Sequence, residues 1–393
     1  MRIFDQLREL FSETRDGLKL KLASFLARAL LLVAVLPNML PGELANYMFA
    51  ATVGLIGGRA ILLGVDLELP LSISGLIEKA RKFSLGILLC WLLILIAFIV
   101  FLIRKDINSA ILLLVLTIAS NQFLAGTVRT LSPSSFERLI NIPMLIFAGA
   151  ALILQSKTAT ELLILRALAG CVVQLIVAFQ QQILAAPSTN NFKILISEII
   201  KSLQSSWSKL LGSLSLRGAL RGFILWPRSF ESSNLSDTIA FAVAIGDAIY
   251  QLGMVFANRR YSIMAKQPNI KIEDLISNLQ TGLALNLIMV ILGITSVYAL
   301  DQGSLLPNYS NISVINQSIL FYSIMCLFSL MQFVSWVSYI NNWVTIFPQL
   351  FLLIAIGIIC ALSPLKIWFG LASIVAFAVT FCLFTLTMRK IKS

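Results

Sequence analysis

The sequence predicts an all-α polytopic membrane protein with about twelve transmembrane helices, set as two six-helix lobes around a central cavity. Three observations carry this. Of the 393 residues, 58% are hydrophobic and 12% charged, and the mean hydropathy is +0.91. A soluble domain runs nearer 45–50% apolar and about 25% charged, so too little polar surface exists here to cover a water-soluble body. Apolar segments long enough to cross a bilayer, roughly 20 residues each, recur along the whole chain between short loops. Lys and Arg collect in alternate loops, as cytoplasmic loops require.

The elements follow in order. Residues 1–22 are expected to form an interfacial amphipathic helix. Ile3, Phe4, Leu7, Leu10 and Phe11 recur at helical spacing, with Arg2, Arg8, Arg15, Lys19 and Lys21 between and after them. Such a helix suits an anionic leaflet, so anionic membrane lipids are its expected partners. It does not read as a signal peptide, because no small-residue cleavage site follows. Spans are placed at 23–36, 45–64, 83–103, 109–126, 139–154, 161–185, 206–226, 238–257, 278–299, 315–340, 344–362 and 367–387. The N-lobe is residues 23–185 and the C-lobe 206–393. Between them, 186–205 reads as an irregular polar linker on the cytoplasmic side.

The seventh span is the least apolar, with Lys209, Arg217 and Arg221 inside it. Charge decides whether it crosses. With twelve crossings, a cytoplasmic N-terminus and Lys209 taken at the cytoplasmic foot of its helix, twenty of the thirty Lys and Arg residues fall inside, five outside and five within spans. Dropping the seventh span inverts everything after it and puts the basic clusters at 259–271 and 389–392 outside. The positive-inside rule therefore favours twelve crossings of the inner (cytoplasmic) membrane with both termini cytoplasmic. An offset of 190 residues pairs Ala29 with Ala219, Leu30 with Leu220 and Pro37 with Pro227. A six-plus-six repeat around a midplane cavity is a common transporter plan.

Composition also excludes chemistry. There is no histidine, hence no His-based acid–base catalysis, no Ser-His triad and no His-ligated metal. The five cysteines sit apart in apolar stretches and read as buried thiols. No cofactor, metal or nucleic-acid partner is expected.

The five arginines inside spans are the informative charges. Each costs roughly 2.5–3.5 kcal/mol at a bilayer centre on insertion scales. Arg28 lies in span one, Arg59 in span two, Arg166 in span six, and Arg217 and Arg221 one helical turn apart in span seven. Arg166, near its span's end, is expected to snorkel to the headgroups. Arg28, Arg59, Arg217 and Arg221 either line a cavity or make structural ion pairs. Asp247 is the one carboxylate near mid-span. It either pairs with Arg217 or Arg221 or takes part in ion coupling. Asp66 and Glu68, closing span two, are expected to be solvated. Gln174 reads as a partner in hydrogen bonds across helices. An interior with five positive charges to one negative suits an anion. Guanidinium groups bind phosphate bidentately and stay charged when buried.

Several stretches carry a family resemblance: Leu26 to Pro37 (LARALLLVAVLP), Pro41 to Tyr47 (PGELANY), Gly57-Gly58-Arg59, and Gly64 to Pro70 (GVDLELP). Asp247 to Gln251 (DAIYQ) and Asn258 to Lys266 (NRRYSIMAK) add to it. Together they resemble polysaccharide and O-antigen flippases of the multidrug/oligosaccharidyl-lipid/polysaccharide exporter superfamily. The resemblance implies a transporter, not an enzyme. Such proteins flip a polyprenyl-diphosphate-linked oligosaccharide, an O-antigen, capsule or exopolysaccharide unit, by alternating access of two lobes. It implies that Arg28, Arg59, Arg217 and Arg221 hold the diphosphate and that Asp247 is the candidate for ion coupling. Other polysaccharide-assembly proteins would be partners. The rival is a membrane-embedded polysaccharide polymerase or glycosyltransferase. That class usually presents a large outer domain with catalytic residues, and the longest outer loop here offers only Asp301.

Overall fold

The computed structural model describes residues 19–28, 30–35, 38–73, 76–184, 189–225, 233–264, 272–303, 306, 311–337, 343–362 and 365–392. Most of the surface helix expected over 1–22 lies outside these residues. Among them there is no strand. Helix α1 covers 19–28 and passes into a π-helical turn, Leu31–Val35. The rest of the first half comprises α2 (Glu43–Ile61), two short helices α3 (Val65–Ile73) and α4 (Ile77–Arg81), then α5 (Ser84–Arg104), α6 (Ile107–Val128), α7 (Pro133–Leu154) and α8 (Ala159–Gln180). The second half comprises α9 (Thr189–Leu225), α10 (Ser233–Met264), α11 (Ile272–Gln302), α12 (Ile312–Val337), α13 (Trp343–Leu362) and α14 (Leu365–Lys392).

Local chemistry sets the boundaries. The Asp106 side chain accepts the Ser109 N–H to start α6. Ser132 caps α7, with Pro133 in the first turn where no amide donor is needed. Thr158 and Glu161 form a reciprocal capping box on α8. Lys105 (φ 52°) and Gln155 (φ 48°) turn left-handed to end α5 and α7.

One boundary differs from the sequence reading. Residues 189–205 are not irregular; they are the first half of α9, a helix of 37 residues and so about 55 Å long. Phe192, Leu195, Ile199, Leu203 and Trp207 recur at helical spacing. The surrounding Asn, Lys and Ser residues lower the hydropathy without breaking the helix. Only about 20 residues are needed to cross a bilayer core, so the helix combines a span with a long extension.

Among the described residues, seven helices qualify as membrane spans by length and apolar content: α5, α6, α7, α8, and the Gln280–Gln302, Ile312–Met331 and Trp368–Leu386 parts of α11, α12 and α14. Helix α2, which carries Arg59, is not among the seven. Peripheral helices present apolar side chains outward, such as Leu92, Leu95, Ile99 and Ile103 on α5 and Ile374, Phe377 and Phe381 on α14. That surface suits lipid rather than water.

Helices of each half pack mainly among themselves, α2 on α6, α6 on α5 and α8, α10 on α12, and α9 on α13. The two groups meet chiefly where α2 and α3 touch α9 and α10. This is the two-lobe plan. Close backbone approach rigidifies the N-lobe: a Cβ on Gly58 would stand 2.9 Å from the Val115 carbonyl oxygen, and one on Gly126 would stand 2.7 Å from that of Asp66. Buried Gln174 ties three helices together. Its Oε1 accepts from Ser120 Oγ (2.7 Å) and Trp91 Nε1 (3.3 Å), and its Nε2 donates to the Thr117 carbonyl (3.0 Å).

Candidate functional site

A cavity of about 290 Å³ lies between the lobes. Its walls come from α1, α2, α3, α6, α7 and α8 on one side and α9, α10 and α12 on the other. The lining residues lie mid-helix and toward the end where α2 and α6 finish and α7 begins. At this end α3 and Arg59 touch α9, and at the opposite end Asp237 of α10 touches the start of α2.

Six arginines line the cavity: Arg28, Arg59, Arg129, Arg166, Arg217 and Arg221. The carboxylates among the lining residues are Asp66 and Asp247. Helix α10 shows how the sequence builds this wall. Gly246 and Gly253, seven apart and hence on one face, lie against Ser318, Tyr322 and Cys326 of α12. That close seat turns Asp247, Tyr250, Gln251 and Met254 toward the cavity. Two hydrogen bonds fix the C-lobe frame: Ser318 Oγ donates to the Ala242 carbonyl (2.7 Å), and the Tyr322 hydroxyl donates to the Leu220 carbonyl, one residue before Arg221.

At mid-cavity, Asp247 Oδ2 receives Arg28 Nη1 at 3.2 Å and Arg221 Nη2 at 2.9 Å. The second contact is the pairing expected within the C-lobe. The first reaches across the lobes. Arg217 lines the same wall one turn from Arg221 and makes no ion pair with a described residue.

Nearer the wide end, Arg59 pairs with Asp66. Its Nε donates to Ser213 Oγ (3.3 Å) and its Nη1 to Gln122 Oε1 (3.2 Å). Ser213 belongs to α9, so Arg59 too contacts the other lobe. Asp66 is buried, not solvated as its place at the end of span two led us to expect. It falls in a separate helix, α3, which packs against α6 and α9. Arg129 stacks over the Phe136 ring, 4.8 Å from its centroid.

Arg166 does not snorkel outward. Its Nη1 donates to the Tyr47 hydroxyl at 3.2 Å and it lines the cavity. Hydropathy located its depth but not the side of the helix on which it projects. The structure thus brings Arg28, Arg59, Arg217, Arg221 and Asp247 to one cavity and adds Arg129, Arg166 and Asp66. Arg129 is the C-cap residue of α6. Only the fold of α6 onto α3 brings it to the cavity mouth.

The closed end has its own polar contacts. Asp237, opening α10, accepts the backbone N–H groups of Gly42 and Ala45 at 3.0 Å each. Glu43 accepts the Ala159 N–H at 2.6 Å. Among the described residues, no group of three His, Cys, Asp or Glu side chains is placed to hold a metal ion.

Chemically, the site is a cationic chamber whose charge is supplied almost wholly by guanidinium groups drawn from both lobes. It offers multidentate hydrogen bonding to an oxoanion.

No family model and no curated protein matches the chain. Solved structures do. The chain is similar to a multidrug resistance MATE family transporter of the MOP superfamily in an outward-facing conformation, with a TM-score of 0.58 and 12% identity over 96% of this chain and 94% of that one. An inward-facing structure of such a transporter gives a TM-score of 0.58 at 14% identity, over 95% and 94% of the two chains. A variant of the Vibrio cholerae MATE transporter VcmN gives 0.54 at 13%, over 96% and 98%. The fold is therefore MATE-like, with its helices grouped in two lobes.

Proposed function

We propose that this chain is a membrane transporter that flips a polyprenyl-diphosphate-linked oligosaccharide, such as an O-antigen, capsule or exopolysaccharide unit, across the cytoplasmic membrane by alternating access. The observation that carries the reading is the six-arginine lining opposed by two carboxylates. A dianionic diphosphate suits such a wall, and guanidinium groups from both lobes let its binding be sensed by both. The fold supports movement between two states, since its solved neighbours include inward- and outward-facing forms. The positive-inside pattern of the basic loops supports a cytoplasmic position for both termini and for the end of the cavity near Arg59 and Arg129, where such a lipid would be loaded. Arg28, Arg59, Arg217 and Arg221 are the diphosphate ligands, joined by Arg166. Polysaccharide-assembly proteins are the expected partners.

A second reading has one specific observation behind it: the solved neighbours are described as multidrug transporters. A cationic drug fits poorly among six arginines, so an exporter of this fold would have to take anionic compounds.

The test is charge reversal. Cells carrying R28E together with R59E should lose surface glycan while the protein persists in the membrane at its normal level. Normal glycan in that strain overturns the proposal. Normal glycan with lost resistance to an anionic compound would favour the drug reading.

A further inference from the structure

The ion bridge at mid-cavity has a geometry that substrate binding alone does not require. Both guanidinium contacts fall on a single oxygen, Asp247 Oδ2. Arg28 belongs to the first lobe, and Arg221 and Asp247 to the second. The two guanidinium nitrogens can therefore be no more than about 6 Å apart across the lobe interface, and they approach through one negative atom. Arg217 stands on the same wall and Arg166 faces it from α8, and neither is in an ion pair with a described residue. Four positive groups thus surround one carboxylate. Remove that carboxylate, and like charges from opposite lobes face each other in a poorly screened chamber, opposing closure.

We infer that Asp247 is the built-in counter-anion of the empty transporter. It occupies the position of a substrate oxoanion between Arg28 and the Arg217–Arg221 face, so the lobes can meet with nothing bound. A diphosphate entering the chamber competes for the same guanidinium groups and takes over the bridge. The role matters most for resetting. A carrier that delivers its cargo in one direction must return empty, and the return needs a charge-balanced interface. This rests on the oxoanion reading of the cavity and adds the identity of the group that replaces the oxoanion in its absence.

The experiment reads lobe separation in the full-length protein reconstituted in lipid. Spin labels are attached at Ile153→Cys and Leu362→Cys, two highly exposed positions on α7 and α13, with the five native cysteines replaced. Pulsed electron–electron distance measurements then report the end where Asp237 meets Gly42. Without ligand the parent should give a short distance. D247N should move the population to longer distances by about fivefold or more. Removing the opposing charge as well, in R28Q/D247N, should restore the short distance without ligand. Millimolar inorganic pyrophosphate should restore it in D247N alone.

A parent-like distribution in empty D247N overturns the inference. So does an R28Q/D247N protein that stays as shifted as D247N, because damaged packing would not be repaired by deleting a second partner. If R28Q restores the short distance while pyrophosphate does not, the counter-anion role stands and the oxoanion reading of the cavity falls. In transport, D247N should retain exchange between loaded forms and lose net one-way flipping.

Discussion

The carboxylate of Asp237 caps helix α2 at Gly42 from 195 residues away, across the lobe interface. Gly42 is the N-cap of α2, in left-handed backbone geometry (φ 81°), and has no side chain with which to cap its own helix. Asp237 supplies both missing acceptors, to the N–H groups of Gly42 and Ala45. A carboxylate at a helix N-terminus also meets the positive end of the helix dipole.

Because the cap bridges the lobes, it must break whenever this end opens. Losing an N-cap costs about 1 kcal/mol, or roughly a fivefold change in an equilibrium. D237A should therefore favour the open form by about that factor. A cysteine at buried Ile239 should become correspondingly more reactive to a water-soluble thiol reagent. D237N, which keeps one acceptor oxygen, should lie between. Equal labelling in all three proteins would remove Asp237 from the gate.

The α2–α6 seam makes a packing prediction. Gly58→Val puts methyl groups where Ile118 and the Val115 carbonyl already stand. It should destabilise the protein by about 1–3 kcal/mol, read as a lower thermal midpoint in detergent. Gly149 has open space around its Cβ position. Gly149→Ala should be neutral or stabilising by up to about 1 kcal/mol.

Asp106 gives a pH prediction outside the membrane. The Ser109 hydroxyl and then the Ser109 backbone N–H hold its carboxyl below the ordinary value of 3.8. A lowered acid contributes stability that is fully present above that value and is lost as pH falls through its own lower one. An exposed group gives a small effect. The acid-side fall in thermal midpoint should shrink in D106N and be partly reduced in S109A, and unchanged profiles in both would refute the linkage.

Topology is checked by fusion. A reporter at the C-terminus should read cytoplasmic. A periplasmic reading would mean that α9 does not complete a crossing, and the charge argument for twelve spans would fail.

Much of the architecture was legible because hydropathy reports depth directly. The positions of α2, α5, α6, α8 and α12 agree with the sequence within a few residues. Arg28, Arg59, Arg217, Arg221 and Asp247 stood out because charge in an apolar run is rare. Direction around the helix was harder to read. Arg166 and Asp66 both sit near the ends of apolar runs, and only packing shows that they turn inward. The cap on Gly42 had no local signal, since a glycine N-cap announces no partner. The first half of α9 was lost to its Asn, Ser and Lys content, although its apolar residues keep helical spacing.

The choice of arginine throughout the chamber has one more consequence. A guanidinium group does not give up its proton at any physiological pH, and the chain contains no histidine. The positive wall therefore cannot be switched off by acidity on either side of the membrane. On the transport reading proposed above, an anion held there is let go by drawing Arg28 away from Arg217 and Arg221 as Asp247 takes back the bridge. On that reading the chamber is a vice whose two jaws belong to different lobes, and opening the jaws is the release step.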